Sequence, residues 1–385
     1  MMITRFAPEH ITEAIALRRD LHRHPELGFE ETRTSEVIAR LLDGWGFKVT
    51  TGVAKTGVVA TLGDGSGPAL GLRADIDALP IHELTGAEWA SQTPGKMHAC
   101  GHDGHTATLL LAARELANSG TGGTLHLIFQ PAEENDAGAR EMIADGLFDR
   151  FPCDEVYGLH NWPSLTAGTF VAHDRDMMAA FAIFSVKLTG RGGHAAMPEQ
   201  SDEVIAAVTR LTNMLQDIPA RFLSPLDPGV ISVTQVNAGT AWNVCPDTAE
   251  LRGTIRWFSD TANTELEKQF RRATEHIVAA YGCTVEIDYQ RRYPATVNTP
   301  ACAEIARSVA AEMGLDQPAV TASMASEDFS FMLQEAKGAY VWLGTAQSDN
   351  TPGLHSPYFD FNDEMLGIGA EFWCKLHDKF FTHLG

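Results

Sequence analysis

Apolar residues in the first part of the chain switch between a helical and an extended spacing. Two stretches, 11–21 and 109–116, repeat their apolar positions at the spacing of one helix face, and a short helix is expected near 137–144. Apolar runs typical of buried strands separate these helices, at 56–62, 69–74, 124–129 and 155–159. Strands that alternate with helices predict an α/β sheet with helices on its faces.

The pattern changes near residue 181. Strict alternation at 181–188, 230–236 and 248–258 predicts a half-solvated antiparallel sheet, which a last strand at 284–289 completes. Two amphipathic helices interleave with these strands, one over 204–215 and one that opens with a capping-box pattern from Thr264 to Glu267. Two helices on one face of four strands form an α+β sandwich of about 110 residues, which is enough to fold alone.

The alternation of helices and strands resumes from residue 299, with a helix at 301–313, a strand at 339–343 and a final helix at 363–380. We therefore expect a discontinuous α/β domain, built on a mixed central sheet, over 1–180 and 294–385. An α+β domain is inserted over 181–293. Functional residues should lie at the carboxyl ends of the α/β strands.

Composition and charge narrow the class of function. The 385 residues include 29 Lys and Arg against 50 Asp and Glu, which gives a formal charge of −21, and 44% are hydrophobic. An acidic surface without a basic stripe repels phosphates, so nucleic acid is not an expected partner. No apolar run approaches the roughly 18 residues of a membrane span, and no secretory signal is readable, so we expect a cytoplasmic protein with reduced cysteines.

The densest group of candidate metal ligands lies at 98–105. It holds three histidines, a cysteine and an aspartate, and its two glycines let a loop turn tightly enough for side chains to converge. Cys100 and His102 are two residues apart and can chelate one ion. Asp103 can cap the helix that follows or orient a histidine.

Two adjacent carboxylates, Glu133 and Glu134, follow the apolar strand at 124–129. Two carboxylates at a strand end cannot both be buried without a cation or a shared proton. A metal ion and a water resolve the conflict, because one carboxylate can ligate the ion while the other takes a proton from the water.

Single histidines follow two further predicted strands, at His160 and His355. Neither is specific alone, but both join the other candidates at or beyond predicted strand ends of one sheet. Together these ligands suit Zn²⁺, Mn²⁺, Co²⁺ or Ni²⁺ and could serve two ions about 3.5–4 Å apart. The five predicted ligands are Cys100, His102, Glu134, His160 and His355.

The inserted segment carries three further candidates. His194 lies in the glycine-rich run 190–198 and could donate a hydrogen bond to a developing oxyanion. Strand parity places Arg256 on the face opposite Leu251 and Ile255, where it could clamp a carboxylate. Asn243 is a candidate polar contact.

Nine segments, in order and over nearly the whole chain, resemble the hippurate hydrolase, auxin-conjugate hydrolase and N-acyl-amino-acid amidohydrolase branch of the aminoacylase–carboxypeptidase metallohydrolases. They include LHRHPELGFEE (21–31), MHACGHDGHTA (97–107), FQPAEE (129–134), GRGGHAAMP (190–198) and LHSPYFDFND (354–363). The resemblance implies a catalytic domain with two divalent ions and an inserted lid domain, which also forms the homodimer in many relatives.

The resemblance also implies roles for individual residues. The five predicted ligands match the metal ligands of the family, Glu133 matches its general base, and His194 matches a lid histidine that reaches the oxyanion. Asn243 and Arg256 match lid positions that hold the substrate carboxylate. Asp75 is expected beside the metals rather than on them. The chain departs from the family at Asn135 and Asp136, where glycines are expected, and at Cys245.

The implied activity is hydrolysis of the amide bond of an N-acyl amino acid, with an acetyl, benzoyl or related acyl group. A dipeptidase or aminopeptidase with the same metals is the alternative. A hydrolase with Cys100 as nucleophile and a metal sensor without activity also remain open, although a sensor has no need of Glu133. The sequence leaves the acyl group, the amino acid and the identity of the metal undetermined.

Overall fold

The computed structural model describes residues 5–120, 122–134 and 136–384. The chain divides into two compact units. The first comprises residues up to 177 together with 296–322 and 328 onward, and the second comprises 178–295 and 323–327. The boundaries predicted from the sequence lie at 180/181 and 293/294, and the short segment 323–327 is predicted to belong to the discontinuous α/β domain.

Helices and strands alternate through most of the described chain. The described residues form ten α-helices: α1 Pro8–Arg23, α2 Thr32–Gly44, α3 His102–Ser119, α4 Gly138–Ala144, α5 Leu147–Arg150, α6 Val204–Phe222, α7 Asp260–Ala280, α8 Pro300–Glu312, α9 Ser330–Glu335 and α10 Met365–Leu384. They also form fifteen strands: β1 Lys48–Val53, β2 Gly57–Leu62, β3 Ala69–Asp75, β4 Thr124–Gln130, β5 Glu155–Thr166, β6 Phe170–Val171, β7 Asp176–Met178, β8 Ala180–Thr189, β9 Gly193–His194, β10 Gly229–Ala238, β11 Val244–Cys245, β12 Thr248–Trp257, β13 Thr284–Tyr293, β14 Thr296–Val297 and β15 Lys337–Ala346.

The first unit is built on a seven-stranded sheet in the order β1-β2-β4-β3-β5-β15-β6. The four central strands β4, β3, β5 and β15 are parallel, whereas β1, β2 and β6 add to it antiparallel, so the sheet is mixed as predicted. Every residue of β4 is buried, because helices cover both faces of the parallel part of such a sheet. The core also encloses α3 and the apolar face of α10.

The second unit is a four-stranded antiparallel sheet in the order β10-β12-β8-β13. The helices α6 and α7 share one apolar core with this sheet, which confirms the predicted α+β sandwich. The predicted capping box at Thr264 is wrong. Helix α7 begins at Asp260, because the hydroxyl of Ser259 accepts a hydrogen bond from the N–H of Ala262 at 3.0 Å and caps it earlier.

None of the helices in the described residues combines the length and the apolar character that a membrane crossing requires.

Candidate metal centre

Two glycines let the loop before α3 approach its neighbours in the first unit. Gly101 has a φ of +96°, and a Cβ there would lie 2.3 Å from Oδ1 of Asn161. A Cβ on Gly104 would lie 2.3 Å from the ring of Phe361. Any larger residue would therefore push Cys100 and the start of α3 away from β5 and from the segment that follows His355.

The five predicted ligands form one contiguous group. Cys100, His102 and Glu134 each offer a ligand atom, and these three atoms lie within 4.8 Å of one another. His160 joins them through Nε2, which is 3.4 Å from the sulfur of Cys100. His355 joins through Nε2, which is 3.0 Å from Oε1 of Glu134.

Hydrogen bonds on the far side of two imidazole rings select the nitrogen that faces this group. Nδ1 of His102 lies 3.0 Å from the carbonyl oxygen of Asp77 and 3.2 Å from its carboxylate. Nδ1 of His160 lies 2.7 Å from the carbonyl oxygen of Asn161. In their neutral form both rings therefore carry hydrogen on Nδ1 and present the lone pair of Nε2, which is the arrangement that metal-binding histidines use.

Nε2 of His102 is buried and makes no hydrogen bond to any described residue. A buried polar atom without a partner costs about 1–3 kcal/mol. A divalent cation bound by Nε2, by the sulfur of Cys100 and by the carboxylate of Glu134 would remove this cost. The donor set of thiolate, imidazole and carboxylate fits Zn²⁺ and similar ions.

The pKa values point to the same need for positive charge. Burial raises the pKa of the Cys100 thiol well above its usual range, and the carboxylates of Glu134 and Glu133 raise it further. Burial alone would lower the pKa of His102, but the carboxylates of Asp75, Asp77 and Glu134 together outweigh it, and the pKa is raised to about 10. A cation in this group reverses both tendencies, since it stabilises the thiolate and the neutral imidazole.

Glu133 lies beside the group without belonging to the predicted ligands. Its side chain is buried, with 7% of its surface exposed, and its Oε1 accepts the N–H of Asp328 at 3.4 Å. Ala132 has a φ of +53°, and this left-handed residue turns the chain sharply between the end of β4 and the two glutamates. Glu134 is tied in by its own N–H, which donates to Asp77 at 2.9 Å.

Asp75, expected beside the metals, lies at the end of β3 and is fully buried. It accepts hydrogen bonds from Arg73 at 2.8 Å and from Nδ1 of His105 at 2.6 Å. Nε2 of His105 contacts Asn161. Asp75, His105, His102 and His160 could also hold an ion, but both ring nitrogens of His105 already have partners.

Two local expectations are wrong. His160 does not follow a strand but lies inside β5, which runs on to Thr166. Strand β3 stops pairing with β5 at Gly158 while β15 continues to pair, so β5 extends with one edge open beside His160. Of the two roles expected for Asp103, capping α3 is wrong, because the N-cap is Gly101; its carboxylate instead contacts a histidine, Nδ1 of His22 at 2.8 Å, and Arg18.

The second unit contains the three remaining candidates. His194 is exposed and pairs with Val244 between β9 and β11, and its Nδ1 accepts the N–H of Ala196 at 3.1 Å. This bond leaves the hydrogen on Nε2, so the ring can donate outward. Asn243 is also exposed, and its backbone carbonyl oxygen accepts the N–H of Ala195 at 3.1 Å.

Arg256 is half-buried on β12. Its Nη1 donates to the hydroxyl of Ser326 at 2.7 Å, and its guanidinium lies 5.3 Å from the ring centre of Phe181. Burial lowers its pKa, and no carboxylate of the described residues pairs with it. A half-buried arginine without an acidic partner is suited to bind an anionic group.

Of the departures from the family, Asp136 is exposed and Asn135 lies outside the described residues.

Residues 71–379 match the model of peptidase family M20/M25/M40. The chain belongs to this family. An N-acetylcysteine deacetylase of Bacillus subtilis is 38% identical over 95% of this chain and 96% of its own length. A hippurate hydrolase of Campylobacter jejuni is 38% identical over 94% of this chain and 95% of its own length.

Among solved structures, a dinuclear metal-binding peptidase of the M20 family from Bacillus subtilis is similar with a TM-score of 0.84. It is 34% identical, and the match covers 98% of this chain and 99% of that one. The predicted fold class and the resemblance to amidohydrolases are thereby confirmed. The chain is a hydrolase.

Proposed function

We propose that this chain is a metal-dependent amidohydrolase that cleaves N-acyl amino acids to a carboxylate and a free amino acid. The observation that carries the proposal is the pair Glu133 and Glu134. The carboxylate of Glu134 lies in the cluster with Cys100 and His102. The carboxylate of Glu133 is buried beside this cluster and accepts the backbone N–H of Asp328. The deacetylase and hippurate hydrolase relatives support this substrate class, since their names describe removal of an acyl group from an amino acid.

Two divalent ions, which Cys100, His102, Glu134, His160 and His355 would hold, supply Lewis acidity to the substrate carbonyl and acidify water. Glu133 takes the proton of the attacking water and later delivers it to the departing amine. Because Glu133 is buried beside the predicted ligands, its carboxylate can reach both the attacking water and the departing amine.

The candidates of the second unit bind and orient the substrate. His194 donates from Nε2 to the oxyanion, a contact that typically contributes about 2.7–4 kcal/mol. Arg256 binds the free carboxylate of the amino acid, which distinguishes an N-acyl amino acid from a simple amide. A homodimer formed through residues 181–293 and a cytoplasmic location stay predictions.

A cysteine nucleophile is the less favourable chemistry at this site. Reactive cysteines have a lowered pKa in an electropositive environment. Cys100 has a raised pKa and lies among carboxylates, so it suits ligation of a cation better than attack on a carbonyl.

The test is hydrolysis of matched substrates by protein loaded with Zn²⁺, Mn²⁺, Co²⁺ or Ni²⁺. We expect release of amino acid from N-acetyl, N-benzoyl or indole-acetyl amino acids, loss of turnover on chelation and recovery when metal is returned. The same amino acids extended by a residue with a free amine provide the control. Preferential cleavage of these dipeptides would assign a dipeptidase, and turnover that survives complete metal removal would overturn the proposal.

A further inference from the structure

A single arginine, Arg18 of α1, contacts three carboxylates in the first unit. Its side chain is fully buried. Its Nε lies 2.9 Å from Oδ2 of Asp103, its Nη2 contacts Asp360, and its Nη1 lies 3.5 Å from Asp363. Burial alone would lower the pKa of Arg18, but these three carboxylates outweigh it and raise the pKa. The guanidinium therefore remains charged.

Two of these carboxylates belong to the segments that carry two predicted metal ligands, which are far apart in sequence. Asp103 directly follows His102 in the first turn of α3. Asp360 belongs to the irregular segment between β15 and α10, five residues after His355. The guanidinium of Arg18 thus contacts both the segment that contains His102 and the segment that contains His355.

Packing at the same place leaves little room for adjustment. The ring of Phe361 fits against Gly104, where an added Cβ would lie 2.3 Å away. The guanidinium carbon of Arg18 lies 5.8 Å from the centre of that ring. Asp360 is fixed further by the indole N–H of Trp89, which donates to it at 3.1 Å.

His355 depends on such support. Its side chain is half exposed, its backbone is left-handed with a φ of +62°, and no helix or strand contains it. The N–H of His355 donates to the carbonyl of Ala99 at 2.8 Å, close to the other ligands. The position of His355 therefore relies on contacts made by the irregular segment around it.

We propose that Arg18 is a positioning residue of the metal centre, which sets the start of α3 and the segment 354–363 so that His102 and His355 face the same ions. The inference rests on the proposed function, since it requires a metal centre. Replacing residues that orient metal ligands typically lowers metal affinity 10- to 100-fold. Arg18→Met should have an effect of this size, and Arg18→Lys a smaller one, because an ammonium keeps the charge but not the planar fork.

The matched control is Arg19→Met. Arg19 neighbours Arg18 on α1, donates to Asp363 at 2.8 Å and stacks 3.6 Å from the ring centre of Trp89. It holds the same segment but forms no hydrogen bond or ion pair with α3 among the described residues. Because only Arg18 also fixes the start of α3, loss of Arg19 should lower metal affinity less than loss of Arg18.

The experiment measures zinc retained per folded chain at graded chelator concentrations, and Tm with and without zinc. We expect Arg18→Met to lose zinc at a 10- to 100-fold lower chelator strength and to show a smaller zinc-dependent rise in Tm. Arg19→Met should show a clearly smaller change in zinc retention and in the zinc-dependent rise in Tm, and changes equal to those of Arg18→Met would overturn the proposal. A purely structural role for Arg18 predicts that Tm falls equally in both states while zinc retention is unchanged, and this result would overturn the proposal.

A second variant covers the case in which Arg18→Met does not fold. Asp360→Asn removes one charge of the network at a partly exposed position and keeps the oxygen that accepts from Trp89. We expect severalfold weaker zinc retention, and retention equal to the wild type would refute the inference. A wild-type chain that binds no divalent ion would refute the proposed function itself, and so separates the two failures.

Discussion

Replacing Glu133 with glutamine removes the proposed general base and almost nothing else. The two side chains have the same shape, and the amide oxygen can still accept the N–H of Asp328 that lies 3.4 Å from Oε1. Glu133 is outside the predicted ligand set, so the ions should remain bound. General base catalysis contributes about 10²–10⁴ in rate, which corresponds to about 2.7–5.5 kcal/mol of the activation barrier.

We therefore expect Glu133→Gln to lower kcat by that factor while KM and metal content stay near the wild type. The assay is release of free amino acid under saturating substrate, with metal content measured on the same sample. Glu134→Gln is the matched control, because it changes the neighbouring carboxylate that lies 3.0 Å from His355 and within the ligand cluster. This control should lose metal, and its activity should recover in part when metal is added in excess.

The two outcomes separate base from ligand. If Glu133→Gln loses metal, Glu133 is a ligand and another group accepts the proton. If it keeps both metal and full turnover, Glu133 has no role as a base and the reasoning fails.

Two further predictions test candidate site residues, and a third tests a buried histidine of β4. His194→Ala should lower kcat by roughly 10²–10³; a change in KM alone would show that His194 only binds substrate. Arg256→Met should raise KM for N-acyl amino acids roughly 10- to 100-fold, the loss of one charged hydrogen bond, whereas Arg252→Met on the same strand, where Arg252 pairs with Glu250 at 2.7 Å, should not. His126 is buried, and burial lowers its pKa to about 4. Below about pH 6.5 the unfolded chain therefore binds a proton at His126, whereas the folded chain does so only near pH 4. The free energy of unfolding should thus fall between pH 6.5 and 4, by at most about 3 kcal/mol, and chemical denaturation of His126→Asn should lack this component.

Periodicity predicts the elements whose buried positions form a regular apolar pattern. Helix α6 begins where the sequence places it, because Val204, Val208, Leu211 and Leu215 mark its buried face. Strand β4 is found because Leu125, Leu127, Ile128 and Phe129 form an apolar run, although Thr124, His126 and Gln130 of the same strand are also buried. Helix α2 escapes prediction because its buried residues include Thr34 and Ser35 beside Ile38 and Leu42. Two polar residues on the buried face hide the stripe that periodicity detects.

The predicted ligands are recognisable from residue type, but the groups that contact them from other segments are not. Asp77 and Asn161 hold His102 and His160 partly through carbonyl oxygens, which any residue carries. Arg18 belongs to a helix whose sequence looks like an ordinary amphipathic surface helix, and only the fold shows that it is fully buried. Contacts of this kind depend on tertiary packing and leave no local pattern in the chain.

The predicted ligands come from distant segments, and so do several of the groups that compensate their charges. A buried thiol, two glutamates and several imidazoles cannot be assembled without charge compensation, and residues of neighbouring segments supply part of it. His102 comes with the carboxylate of Asp77, Asp75 comes with Arg73, and Asp103 comes with Arg18. Cys100 and Glu134 bring a thiol and a carboxylate into the same cluster, where ligation favours the thiolate. Binding of divalent ions should therefore stabilise the folded chain as well as activate it, since the ions supply positive charge where these two groups meet.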